Sequence, residues 1–138
     1  MTVSLAQDTD FKEIYDLWKS AKLPVKKTQL EKYDYEQVIK LNPSSCFIGT
    51  ENGKIIASVF GTFNGRRAWI YHLAIHPRYQ DKGFGSLMLK KAETALKSRG
   101  ATKIVLGVDF DHAGTISFYA KNDYAIMNDA ILMAKELK

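Results

Sequence analysis

The stretch Leu73-Ala74-Ile75-His76-Pro77-Arg78-Tyr79-Gln80-Asp81-Lys82-Gly83-Phe84-Gly85-Ser86 runs from an apolar strand, through a proline stop and a turn with two glycines, into a helix start. The first amides of a helix have no intrahelical acceptor and point along its axis. With the macrodipole they favour an anion. Glycines at 83 and 85 remove side chains that would keep a phosphate from those amides, and Lys82 and Ser86 add donors. The physical reading is a pyrophosphate cradle. A pair of glycines also serves a plain turn, and spacing alone does not choose between the two.

Two common phosphate motifs fail on residues. A P-loop ends its glycine run in Gly-Lys-Ser/Thr, whereas this chain has Gly85-Ser86-Leu87. A dinucleotide fingerprint needs a third small residue three positions after the second glycine, and Met88 stands there.

Upstream, Val3 to Gln7 alternates as a short strand. Asp10 and Glu13 have the spacing of a capping box before apolar residues at Phe11, Ile14, Tyr15, Trp18 and Ala21. Thr28 and Glu31 repeat that spacing before Leu30, Tyr33, Val38 and Leu41, whose helical spacing predicts a second helix; Asn42-Pro43 ends it. From Ser45 the period becomes two. Strands are expected over 46–50, 55–63 and 68–75, joined by turns at Asn52-Gly53 and Asn64-Gly65, where the residue types tolerate positive φ.

Downstream, a helix over 85–99 buries Leu87, Met88, Ala92, Ala95 and Leu96, with Gly100 beyond its end. A strand follows over 103–110, then a short helix around Ile116, Phe118 and Tyr119, and a last strand over 131–134. The order β-α-α-β-β-β-α-β-α-β predicts one α+β domain, residues 1–138, with a mixed, mostly antiparallel central sheet flanked by helices. The helix after the glycines crosses between two parallel strands by a right-handed connection.

Composition sets outer bounds. The 138 residues fit one core without staples, and Cys46 alone allows no intrachain disulfide, which fits a reducing compartment. No secretory leader or span of ~20 apolar residues is visible, so a soluble cytoplasmic protein with no membrane partner is expected. The net charge of +5 is scattered, so no nucleic-acid partner is expected. Three separated histidines give no metal-ligand spacing, and no metal is expected.

Gln80-Asp81-Lys82-Gly83-Phe84-Gly85 matches the Q/R-x-x-G-x-G/A motif of the GNAT superfamily of N-acetyltransferases. Leu73-Ala74-Ile75-His76-Pro77 resembles that superfamily's entry into the motif, and Phe118-Tyr119-Ala120-Lys121-Asn122-Asp123-Tyr124 is similar to its Phe-Tyr-x-Lys-x-Gly-Phe box. The resemblance covers most of the chain, most firmly residues 69–124. Asp81 and Asp123 stand where glycine is usual, Thr115 where alanine is common, and His112 where an asparagine near the pantetheine arm is usual.

The resemblance implies acetyl-CoA as co-substrate, held between two splayed parallel strands. Leu73, Ala74 and Ile75 would meet the pantetheine arm, and Gln80, Asp81, Lys82, Gly83, Phe84, Gly85 and Ser86 the pyrophosphate. His112 would stand in for the asparagine contact. A strand bulge near Leu73 would aim one amide at the thioester carbonyl.

Tyr119 matches the tyrosine that protonates the departing thiolate. On pattern alone it is equally a core residue of an apolar helix face. Some members carry a Glu base where this chain has Gly107; His72 is the candidate here, with Asp109 and Tyr71 behind it. A histidine on a strand is more often simply packed. The acceptor would be a small amine or amino acid, or a protein N-terminus or lysine, and self-association into a homodimer is left open. The alternative is a regulatory domain that binds acyl-CoA without turnover.

Overall fold

The computed structural model describes residues 1–137, which divide into two compact units, one of Met1–Gly107 and one beginning at Val108. The first unit holds β1 (Thr2–Leu5), α1 (Phe11–Ser20), α2 (Thr28–Leu41), β2 (Cys46–Glu51), β3 (Lys54–Phe63), β4 (Ala68–Ile75), α3 (Phe84–Ser98) and β5 (Ile104–Leu106). The five strands form one sheet in sequence order. The first three pairings are antiparallel and β4–β5 is parallel, as the mixed sheet with its helical crossover requires.

Turn chemistry sets the meander. Asn52 and Gly53 take φ 51° and 77°, and Gly65 takes 92°, the positive values that tight hairpins need. Asn64 Oδ1 accepts the N–H groups of Arg66 and Arg67, both at 2.9 Å. On one side of the sheet Phe11, Ile14, Leu17 and Trp18 of α1 pack with Tyr35, Ile39, Phe60 and Ala74. On α3, Met88, Leu89, Ala92 and Leu96 are fully buried, and Leu96 stands so close to Gly61 that a Cβ there would sit 3.0 Å from it.

Several expectations change. The inward face of α2 is Glu31, Tyr35 and Ile39, with Val38 partly buried against the core, while Leu30, Tyr33 and Leu41 are exposed. Both triads obey helical spacing, and Tyr35 wins because it packs on Phe11 and Phe60 and donates from its hydroxyl to the Gln7 carbonyl. On α3, Leu89 replaces Leu87 in the buried stripe, one helical turn before Ala92 and two before Leu96. The capping boxes shift as well. Asp10 reaches back to Gln7 N–H at 2.9 Å, and Glu31 to Lys26 N–H at 2.7 Å, so each carboxylate ties down chain ahead of its helix.

The second unit contains a 3₁₀ segment, Phe110–Thr115, and α4 (Ile116–Lys121). The strand expected at 131–134 does not form: those residues adopt neither helix nor strand, and Ile131 and Met133 are largely exposed. An apolar run has strand propensity, but a strand exists only where a neighbour supplies ladder partners.

Candidate active site

β5 pairs with β4 only through Ala68–Ile104, Trp69–Val105 and Ile70–Leu106. The expected strand over 103–110 is thus cut to three residues, and Tyr71 to Ile75 of β4 continue without a partner on that edge among the described residues. In this unpaired stretch β4 also bulges. Ser58 faces Ala74 and Phe60 faces Tyr71, so His72 and Leu73 together oppose the single residue Val59. His72 takes φ 51°, the left-handed region unusual for a side-chain-bearing residue.

The His72 ring stacks on Trp18, with centroids 4.1 Å apart, and leans on Phe60 at 5.5 Å. Burial against these rings pushes its pKa below the usual imidazole value, and the charges of Glu31 and Asp34 offset only part of that. His72 is therefore neutral at pH 7 and keeps a lone pair. Tyr71, the alternative base, stacks on Trp69 and is only partly shielded from solvent, and that partial burial raises its pKa.

Beyond Ile75 the chain turns through Pro77–Tyr79 into the glycine loop. Gln80 Nε2 donates back to the Ile75 carbonyl at 3.0 Å, which ties the loop to the end of β4. Asp81 and Gly83 take φ 61° and 83°, and Gly83 is the N-cap of α3. The first helical bond here runs from Leu87 N–H to the Gly83 carbonyl, so the amides of Phe84, Gly85 and Ser86 have no acceptor within the helix. A Cβ built on Gly83 would meet no atom within 4 Å, so space lies open over this helix end. Lys82 Nζ lies 5.7 Å from the Tyr79 ring centre. Three free amides, open space and a parted strand pair fit the phosphates and extended arm of a CoA thioester.

A profile of the acetyltransferase (GNAT) family matches residues 11–124. The chain belongs to the GNAT family. GNAT enzymes use acetyl-CoA, and this chain is a GNAT acetyltransferase whose match includes residues of both units. An acetyltransferase of Yersinia pestis (strain Pestoides F) is 31% identical over 99% of this chain and 96% of its own length. The apo aminoglycoside 6'-N-acetyltransferase of Acinetobacter haemolyticus shares the fold at TM-score 0.82 and 12% identity, covering 100% of each chain. The ribosomal-protein-S18-alanine N-acetyltransferase of Escherichia coli does so at 0.73 and 24%, over 88% of this chain and 75% of its own.

The departures of this GNAT chain from its family pattern have local causes. Asp81 and Asp123 both sit at positive φ, 61° and 71°, where Asp is among the tolerated substitutes for glycine. In the second unit Tyr119 packs edge-on against Phe118 and Tyr124, at 5.1 and 5.9 Å, and burial raises its pKa so the phenol keeps its proton. Its carbonyl accepts the N–H groups of Asn122 and Tyr124, which closes α4. His112 lies in the 3₁₀ segment with Nδ1 4.0 Å from Asp109 Oδ2.

Cys46 is buried, with its thiol pushed up to about 12 chiefly by burial, and is an inert core residue. Trp18 is a core residue. No group of three or more His, Cys, Asp or Glu among the described residues is arranged to hold a metal ion. Among them, too, no helix is long and apolar enough to cross a membrane.

Ser58 escaped the sequence reading. It is fully buried, accepts from Trp18 Nε1 at 3.0 Å and donates to the His72 carbonyl at 2.7 Å. The signal was present: a hydroxyl inside the apolar run Ile55-Ile56-Ala57-Ser58-Val59-Phe60.

Proposed function

We propose that this N-acetyltransferase moves the acetyl group of acetyl-CoA directly to a primary amine, and that residues 1–138 act as one acetyltransferase domain. One observation carries the reading. The unpaired stretch of β4 from Tyr71 to Ile75 leads, through a loop tied back by Gln80, onto the free amides of α3. Gln80 to Ser86 bind the pyrophosphate, with Asp81 and Lys82 shaping the loop's charge. Leu73, Ala74 and Ile75 bind the pantetheine arm through their backbone, and His112 takes the role of the family's asparagine.

The Leu73 N–H at the bulge polarises the thioester carbonyl, an oxyanion-type role. His72 accepts the amine's proton, supported by its neutral state and its place at the bulge. Tyr119 protonates the thiolate that leaves, supported by the Phe-Tyr-x-Lys match and a phenol held neutral. A cytoplasmic location fits the lone buried thiol of Cys46.

The acceptor is a small amine or a peptide amine. The two structural neighbours act on an aminoglycoside and on a ribosomal-protein alanine, and their low identity favours neither class for this chain. The test is CoA release from acetyl-CoA with a panel of polyamines, amino acids, aminoglycosides and peptide N-termini, with products read by mass spectrometry. Acetylated product from at least one class is expected. Bound CoA with no product across the panel would overturn the catalytic assignments and favour a binding domain without turnover.

A further inference from the structure

We propose that Ser58 is a positioning residue for acetyl transfer: it grips the His72 carbonyl and so aims the Leu73 N–H at the thioester carbonyl. The proposal rests on the oxyanion role given above to that amide.

The His72 carbonyl and the Leu73 N–H belong to one peptide unit, and the chain has no cis peptide among its described residues. In a trans peptide the two point in opposite directions. Whatever holds the carbonyl therefore sets the direction of the amide. Ser58 Oγ holds it at 2.7 Å from β3. The Leu73 N–H is thereby turned away from β3, towards the side on which β4 has lost its β5 partner. The ladder bond beyond the bulge agrees: His76 N–H reaches the Ile56 carbonyl on β3 at 2.8 Å, so by alternation the Leu73 N–H, three residues earlier, faces the other way.

The grip is itself held. Trp18 Nε1 donates to the same hydroxyl at 3.0 Å, which leaves the Ser58 proton for the carbonyl alone. Both side chains are almost wholly buried. A bulge at a non-glycine residue with φ 51° is not a resting state of a strand, and the two bonds hold it. Packing does not ask for the hydroxyl, since alanine would fill nearly the same volume among Ala57, Val59 and Phe60.

The test compares wild type, Ser58→Ala and Ser58→Cys as full chains. Isotope-edited infrared spectra of bound [1-¹³C]acetyl-CoA read the polarisation of the carbonyl. Wild type should lower the ¹³C=O band relative to acetyl-CoA in water. Ser58→Ala should return it most of the way, and Ser58→Cys, whose thiol donates weakly, should fall between. Turnover in Ser58→Ala should drop about 10- to 100-fold, less than the ~10²–10³-fold that outright removal of one oxyanion donor costs, because the amide is released rather than removed. Affinity for S-ethyl-CoA, which lacks the carbonyl, should stay within about twofold.

An unshifted wild-type band would overturn the oxyanion reading of Leu73. A shifted wild-type band that both variants retain would overturn the role of Ser58 alone. If the alanine variant does not fold, a cysteine variant with the wild-type band overturns it equally. Parallel loss of acetyl-CoA and S-ethyl-CoA binding would make Ser58 a structural residue.

Discussion

Replacing Gly83 by alanine separates backbone strain from ligand contact at the proposed cradle. Gly83 holds φ 83° and ψ 2° at the N-cap of α3. An L-residue pays roughly 1–2 kcal/mol in that region. The new Cβ meets no protein atom within 4 Å, so no steric cost is added in the free protein. With about 2.1 cal/mol/K of unfolding entropy per residue, a 138-residue chain should lose about 3–7 °C in Tm.

Gly65→Ala is the matched control. That glycine has φ 92°, equally open space at its Cβ, and a place in the β3–β4 hairpin turn. Both variants should lose a similar amount of stability without ligand. Acetyl-CoA at about 100 times its Kd should stabilise wild type and Gly65→Ala by roughly 2.7 kcal/mol. Gly83→Ala should lose most of that gain, because in the proposed cradle the added methyl would take up space the pyrophosphate needs at this helix end, and Gly83→Glu should lose all of it. Differential scanning fluorimetry with and without acetyl-CoA reads both quantities, and calorimetry gives the affinity. A full ligand-induced shift in Gly83→Ala and Gly83→Glu would refute the cradle.

Tyr119→Phe should lower kcat about 10²–10⁴-fold with acetyl-CoA affinity nearly unchanged, and single-turnover rates equal to wild type would remove Tyr119 from the chemistry. For His72, burial lowers the folded pKa, so kcat/KM should fall on a limb below pH 6.5 that His72→Ala flattens. The same shift acts on stability: the unfolded imidazole takes up its proton first, so the contribution is full above about pH 6.5 and is lost as pH falls towards the lowered folded value. Urea melts at several pH values should show that slope in wild type and not in His72→Ala. Arg99 donates to Asn42 Oδ1 and Ser45 Oγ at 2.9 and 2.7 Å, linking the end of α3 to the chain before β2. Arg99→Ala should cost about 2–3 kcal/mol in urea denaturation, in line with bonds made by a charged donor, while CoA affinity holds.

The readings that held from sequence were local ones. Asn52-Gly53 and Asn64-Gly65 mark the meander because few residue types tolerate positive φ, and the alternation between them sets strands 46–75 almost to the residue. Pro77, Gly83 and the helix after them place the free amides for the same reason: φ/ψ preferences act on the residue itself. Tertiary structure decided what depends on a distant partner. Tyr35 rather than Tyr33 faces inward on α2, because Phe11 and Phe60 wait on that side. β5 stops pairing at Leu106 although β4 runs on to Ile75, so propensity did not set its length, and residues 131–134 form no strand, because ladder bonds need a neighbour as well as a propensity. The His72–Leu73 bulge and its grip by Ser58 and Trp18 join residues as many as 40 positions apart. Their hydrogen bonds come into being only when the sheet and α1 have packed, so no local pattern encodes them.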